Sequence, residues 1–271
     1  MLKLELKRGL KRKTFIVALL VTTIFCVVQH LVSNYWWIIM PHANDSVFFD
    51  TFLKSGIVST YQCFIFFNLT PLGNLLFILM PILVAISYGD SYLEDLNSGF
   101  LKNILSRCSK QKYLKSKFLA NFIISGITIA IPLIVNLLLL ITTQASILPE
   151  KLSTNTLMAG SLNLDMYLNH PALYILMWIL IYFAFAGAIS SITLGLSMVT
   201  RNKFIVLIAP FIIVQAMGIL LGLLNLRDYS VAKFLYSYPE PNPIAMFITF
   251  TVIIMATFLP FYFGGKSNEL F

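Results

Sequence analysis

Ser190 and Ser191 stand side by side in a stretch without a charged residue, and they are the chain's best-placed candidate nucleophiles. A hydroxyl becomes a useful nucleophile only beside a general base or a metal. The three histidines, His30, His42 and His170, fall near the ends of apolar stretches or outside them, and none lies in the core of a neighbouring stretch. An intramembrane enzyme would lose its activity on single replacement of Ser190, Ser191 or His170; the expectation is that such variants stay active. Cys26, Cys63 and Cys108 are too scattered for a metal site, a redox pair or a disulfide framework. No G-x-x-x-x-G-K-[ST] run occurs, so no phosphate-cradling loop is encoded. The reading is non-catalytic, with no cofactor or metal residues on this chain.

The elements that must position these groups are long and apolar. Thr14–Asn44, Ser55–Gly89, Phe118–Pro149, Met166–Thr200, Phe204–Leu226 and Pro241–Gly265 contain no Asp, Glu, Lys or Arg. Each exceeds the ~20 residues that a helix needs to cross a bilayer. With 58% hydrophobic residues and a mean hydropathy of +0.85, the 271-residue chain carries more apolar surface than one soluble core can hide. Barrel strands would alternate polar and apolar residues, and these stretches do not. The expected fold is therefore all-α and polytopic, a single domain over 1–271. Its spans are placed at about 14–33, 72–88, 118–142, 171–199, 204–224 and 244–263. Leu2, Leu6 and Leu10 recur one turn apart among bases, predicting a short amphipathic helix over 1–13 on the inner leaflet. The basic, then apolar start resembles a signal peptide, but no small-residue cleavage site follows and Tyr35-Trp36-Trp37 reads as an interfacial belt, so the first span is expected to be a retained anchor.

The net charge of +8 is a topology signal rather than a nucleic-acid footprint. With six spans, fifteen Lys and Arg fall on the side of the N-terminus, including Lys3, Lys7, Arg8, Lys11, Arg12 and Lys13 and the run from Lys102 to Lys117. Only Lys54, Lys151, Arg227 and Lys233 fall on the other. Both termini are expected in the cytoplasm, in a multi-pass protein of the cytoplasmic membrane, and no nucleic-acid partner is expected. The aromatic runs Phe48-Phe49 and Phe64–Phe67 are expected to rest at the outer interface. Asn44-Asp45-Ser46 and Asn68-Leu69-Thr70 match glycosylation acceptors on that side, a pattern common by chance. The spans contain no ionisable residue of the kind that proton-coupled carriers use. That weighs against the alternative of a stand-alone secondary carrier or channel.

The longest inner segment reads DLNSGFLKNILSRCSKQKYLKSK over Asp95–Lys117, and Leu93, Leu96, Phe100, Leu101, Ile104 and Leu105 recur at helical steps. An acidic start at Glu94 or Asp95, then Gly99, the pair Leu101 and Leu105, and Lys117 just before a span resemble the permease subunits of type-2 ABC transporters. That family often has a proline in the turn where this chain has Cys108-Ser109. The resemblance covers the whole chain through six spans, inner termini and the N-terminal helix. It implies that Glu94, Asp95, Gly99, Phe100, Leu101, Ile104, Leu105 and Lys117 form a coupling helix docking on a separate ABC ATPase, which would carry the ATP and Mg. It also implies a second permease half, identical or homologous, and export of an amphipathic or hydrophobic cargo such as a peptide, antimicrobial or drug, with self-immunity among the roles such export serves. A basic helix covering lipid headgroups is the competing reading of Leu93–Ser106.

Small residues at four-residue spacing let helices approach closely. Gly187, Ser191 and Gly195, with Gly218 and Gly222, are read either as a dimer interface or as packing within one subunit. Pro81, Pro132, Pro210 and Pro260 interrupt spans, as is common in membrane helices. Asn136 and Gln215, the deepest strongly polar side chains, are candidates for interhelical hydrogen bonds or for a substrate pathway.

Overall fold

The computed structural model describes residues 1–34, 59–67, 70–149, 162–235 and 241–264. Tyr35-Trp36-Trp37, His42, Phe48-Phe49, Lys54, Lys151, Lys266 and both acceptor asparagines, Asn44 and Asn68, lie outside them. The described residues fold as helices with no strand. Six helices are long and apolar enough to cross a membrane, which makes this a multi-pass membrane architecture.

In chain order the helices are α1 (Leu2–Leu10), α2 (Lys13–Asn34), α3 (Pro71–Tyr88), α4 (Ser91–Asn97), α5 (Phe100–Leu105), α6 (Lys110–Thr143), α7 (Leu164–Asn169), α8 (Pro171–Leu196), α9 (Lys203–Leu223), α10 (Val231–Leu235) and α11 (Pro243–Leu259). Their starts carry local signals. Pro occupies the first turn of α3, α8 and α11, where its missing N–H has no intrahelical partner to lose. Thr70, Asn202 and Asn242 accept hydrogen bonds from the first-turn amides that follow them. Asn225 ends α9 with φ 57°, a left-handed stop that Asn tolerates, and the Leu226 amide returns to the Leu221 carbonyl.

α3, α6 and α8 form the centre, while α2, α9 and α11 leave much of their surface exposed. The helices alternate direction. The start of α2, the end of α3, the starts of α6 and α9 and the ends of α8 and α11 gather at one end, as Thr14 to Ser87, Lys203 to Asp90, and Tyr92 to Phe261 demonstrate. This basic end also holds α1, α4 and α5.

Three expectations are modified. The inner amphipathic segment is not one helix: Gly99, at φ +69°, separates α4 from α5 in a conformation costly for any side chain. α6 starts at Lys110 rather than 118, because Tyr113, Leu114 and Lys117 bury their side chains in the bundle while Lys112 and Lys115 stay exposed on the opposite face. Phe64–Phe67 do not rest at the surface. Residues 59–67 fold back into the far end, where Phe67 packs on Tyr167, Tyr174 and Trp178. Non-helical backbone is tolerated at such depth only when protein surrounds it. Here Thr60 donates to the Ala145 carbonyl and the Ile65 amide donates to Asn136.

Candidate functional site

Four segments supply charged or hydroxyl groups: Glu5, Arg8 and Arg12; Asp90, Glu94 and Asp95; Tyr113 and Lys117; and Lys203 at the start of α9. Residues three or four apart share a helix face, and the fold brings these faces together at the basic end. Lys117, fully buried, donates to Glu5 Oε2 at 3.0 Å and to Asp95 Oδ2 at 2.6 Å. The Tyr88 hydroxyl donates to Glu5 Oε2 and the Tyr113 hydroxyl to Asp95 Oδ2, each at 2.6 Å. Arg8 donates to the other Asp95 oxygen. Arg12 spans Asp90 at 2.6 Å and Glu94 at 2.7 Å, and Lys203 reaches Asp90 at 2.7 Å. The Arg12–Asp90 contact is off the angle of a hydrogen bond, so it counts as an ion pair only.

Four carboxylates thus face four cations, and the cluster is electrically balanced. Balance is what makes burial tolerable, since an unpaired charge at Asp95 or Lys117 would have no water to solvate it. At Arg8, burial disfavours the cation, but Asp95, with Tyr88 and Glu5, outweighs it and leaves the pKa raised. α1 can lie close enough because Gly9 has no side chain: a Cβ there would sit 2.0 Å from Ile124 Cδ1. Accordingly α1 does not seat on its leucines alone. Leu2 and Leu6 pack beside Phe15 and Ile124, Leu10 faces outward, and Glu5 and Gly9 form the buried face.

This arrangement sorts the expected coupling residues. Asp95, Leu101 and Lys117 are buried. Glu94 is half-exposed and pairs with Arg12. Gly99 and Phe100 are exposed, and Ile104 and Leu105 are partly buried beside Tyr113 and Leu114. Between α1 and α5 lies an open cleft of about 540 Å³, walled by Leu4, Phe100 and Ile104 and rimmed by Arg8 and Arg107. Arg8 also lies 4.9 Å over the Phe100 ring, bracing the two walls.

The small residues pack within the chain. A Cβ on Gly187 would sit 2.6 Å from the Phe122 ring, Ser191 hydrogen-bonds Thr257 at 2.8 Å, and Gly195 faces the Thr257 backbone. Gly218 faces Ser230, and Gly222 faces Arg227. Asn136 is fully buried and links three elements, donating to the Cys26 carbonyl and Gln29 Oε1 and accepting from the Ile65 amide. Gln215 is half-buried on α9 and takes no part in those bonds.

Ser190 lies buried in a hydrogen-bond network. It bonds the Val84 carbonyl and Asn121, and receives a bond from Ser125 at 2.8 Å, which knits α3, α6 and α8 together. His170 caps the start of α8, so twenty residues at 1.5 Å each put it about 30 Å from Ser190. No cluster of metal-ligating side chains occurs among the described residues.

The sequence signal for the ion cluster was Glu5, the lone acid among six N-terminal bases, in step with Arg8 and Arg12. Its partners are remote: Lys117 lies 112 residues away. Compared with known proteins, the chain matches no family model, no curated protein and no solved structure.

Proposed function

We propose that this chain is the membrane subunit of an ATP-driven exporter of the type-2 ABC class, energised by a separate ATPase subunit that carries the ATP and Mg. The observation that carries the reading is the open cleft between α1 and α5, beyond the basic ends of the spans. It offers Leu4, 68% exposed, and Phe100, 42% exposed, to another protein. An apolar wall with a basic rim suits a soluble partner with a complementary helix. The sequence encodes no phosphate loop, which fits energy delivered from outside the chain.

The positive-inside rule places the basic end, and with it both termini, in the cytoplasm. The balanced cluster behind the cleft ties α1 to α4 and α6, so force applied at the cleft would pass directly into the α6 span. A second permease half would complete the pathway, and its cargo would be amphipathic or hydrophobic, such as a peptide, antimicrobial or drug.

The test is co-purification of the tagged full chain with an ABC ATPase from the native host's membranes, identified by mass spectrometry. Leu4→Asp and Phe100→Asp are expected to abolish capture; Leu4 faces outward, so Leu4→Asp should leave the thermal midpoint unchanged, while Phe100→Asp should lose only the Arg8–ring contact, about 0.5–1 kcal/mol. Leu101→Asp would not discriminate, since Leu101 is buried. Undiminished capture by both exposed variants, or ATP-independent flux through the purified chain alone, overturns the proposal.

A further inference from the structure

The fold sorts the six N-terminal bases into two sets. Arg8 and Arg12 turn toward the bundle and pair with Asp95, Asp90 and Glu94, whereas Lys3, Lys7, Lys11 and Lys13 are exposed. The leucines that would seat an amphipathic helix in lipid are sorted as well. Leu2 and Leu6 pack beside Phe15 and Ile124, and Leu4 and Leu10 face out. Lys3, Lys7 and Lys11 recur at four-residue steps and so share one face of α1, a row about 12 Å long at 1.5 Å per residue. It points away from Glu5 and Gly9, which form the buried face.

The row leads directly into lipid-facing surface. Lys13 is the first residue of the α2 span, and Ile16, Val17 and Leu20, one to two turns further on, are exposed apolar side chains. In a membrane architecture those three meet hydrocarbon, so Lys11 and Lys13 lie at the level of the headgroups. Among the described residues the acids of this end are Glu5, Asp90, Glu94 and Asp95, and the buried cluster uses all four. The exposed lysines are therefore positive charge in excess, set beside a phosphate-bearing boundary.

We infer that Lys3, Lys7, Lys11 and Lys13 form a binding surface for the headgroups of anionic phospholipids in the leaflet at the basic end. Leucine insertion supplies little of this contact, since Leu2 and Leu6 are withdrawn into the bundle. Charge supplies it. Each lysine near an anionic lipid surface contributes about fivefold in affinity. The competing occupant is an acidic soluble protein. It fits less well, because the row is continuous with the hydrocarbon-facing side of α2, where a water-soluble surface cannot follow. The lipid surface requires only the membrane architecture and is independent of any ATPase.

The full chain is reconstituted in nanodiscs of phosphatidylcholine with a minor fraction of phosphatidylglycerol carrying a diazirine near its glycerol, and adducts are mapped after irradiation. Adducts on 1–20 should exceed those from a matching phosphatidylcholine probe, and the excess should shrink in high salt. The phosphatidylglycerol adducts should fall about fivefold in Lys11→Gln and in Lys13→Gln. They should reach the phosphatidylcholine level when all four lysines are Gln, with the thermal midpoint unchanged because the side chains are exposed. Leu10→Gln should leave the preference intact. Equal labelling by the two probes, a preference indifferent to the four lysines, or one abolished by Leu10→Gln overturns the inference. So does a soluble subunit that shields all four lysines from acetylation in lipid-free detergent.

Discussion

Replacing Lys117 with methionine removes one charge and strands one, Glu5, which has no other ion-pair partner among the described residues. Its ammonium is fully buried, 3.0 Å from Glu5 and 2.6 Å from Asp95. Breaking a buried pair by deleting one partner costs about 3–5 kcal/mol, because the remaining charge keeps its desolvation penalty. Asp95 retains Arg8 and the Tyr113 hydroxyl, which places the expected loss near the lower bound, about 3 kcal/mol. For a chain of this size each kcal/mol shifts the midpoint by about 2–4 °C, so Lys117→Met should melt about 10 °C below wild type. The assay is a thermal scan of detergent-purified protein followed by size exclusion. Exposed Lys112 provides the control, and Lys112→Met should lie within ~0.5 kcal/mol of wild type. The decisive variant is Glu5→Gln combined with Lys117→Met. It leaves no stranded charge at Glu5 and should recover part of the loss, as coupled neighbours do. A midpoint for Lys117→Met within 2 °C of wild type, or a double variant no better than the single, refutes the account of the buried cluster.

Other expectations follow from the same geometry. Gly187→Leu drives a side chain into the Phe122 ring, 2.6 Å from the nearest added atom, and should cost about 1–3 kcal/mol in the same thermal scan. Asn136→Leu orphans the buried Ile65 amide and removes one hydrogen bond from Gln29, at about 1–3 kcal/mol, and should speed hydrogen exchange within 59–67 ahead of the spans. Burial raises the Cys63 thiol to about 12, with a smaller opposing pull from Gln144, so maleimide at pH 7 should label partly exposed Cys108 and spare Cys63. The sign of the linked pH effect follows: above the ordinary thiol value of 9.0 the unfolded chain loses the proton that folded Cys63 keeps, so stability falls from pH 9 towards 12. Cys63→Ala should make that limb of the stability profile shallower by the share of one group. Ser190→Ala removes hydrogen bonds to Val84 and Asn121 and should lower stability by about 1–3 kcal/mol in the same thermal scan.

Much of the architecture was legible because membrane helices announce themselves along the chain. Six uncharged stretches became six spans, with most limits within a few residues of those expected. The exceptions are instructive. Lys110–Lys117 reads as loop by its charges, yet continues α6 because Tyr113, Leu114 and Lys117 turn inward and Lys117 is neutralised by Glu5 of α1 and Asp95 of α4. Phe64–Phe67 reads as an interfacial run, yet is buried because Asn136 satisfies the backbone that turns inward there. Asn136 was read as either a hydrogen-bond bridge or a pathway residue; the bonds to Cys26, Gln29 and Ile65 account for its polar side chain. The glycine and serine stripe was ambiguous between partners, and Phe122 and Thr257 of the same chain occupy it.

The sequence by itself determined the solvent, the number of spans and the crowding of positive charge at one end, since hydropathy and charge are properties of each stretch taken alone. Tertiary structure decided which charges are neutralised. Glu5 and Lys117, 112 residues apart, become partners only where helix α1 crosses the start of α6. Pairing across that distance depends on how helix faces meet in space, and Gly9 lets them meet by having no side chain to hold them apart.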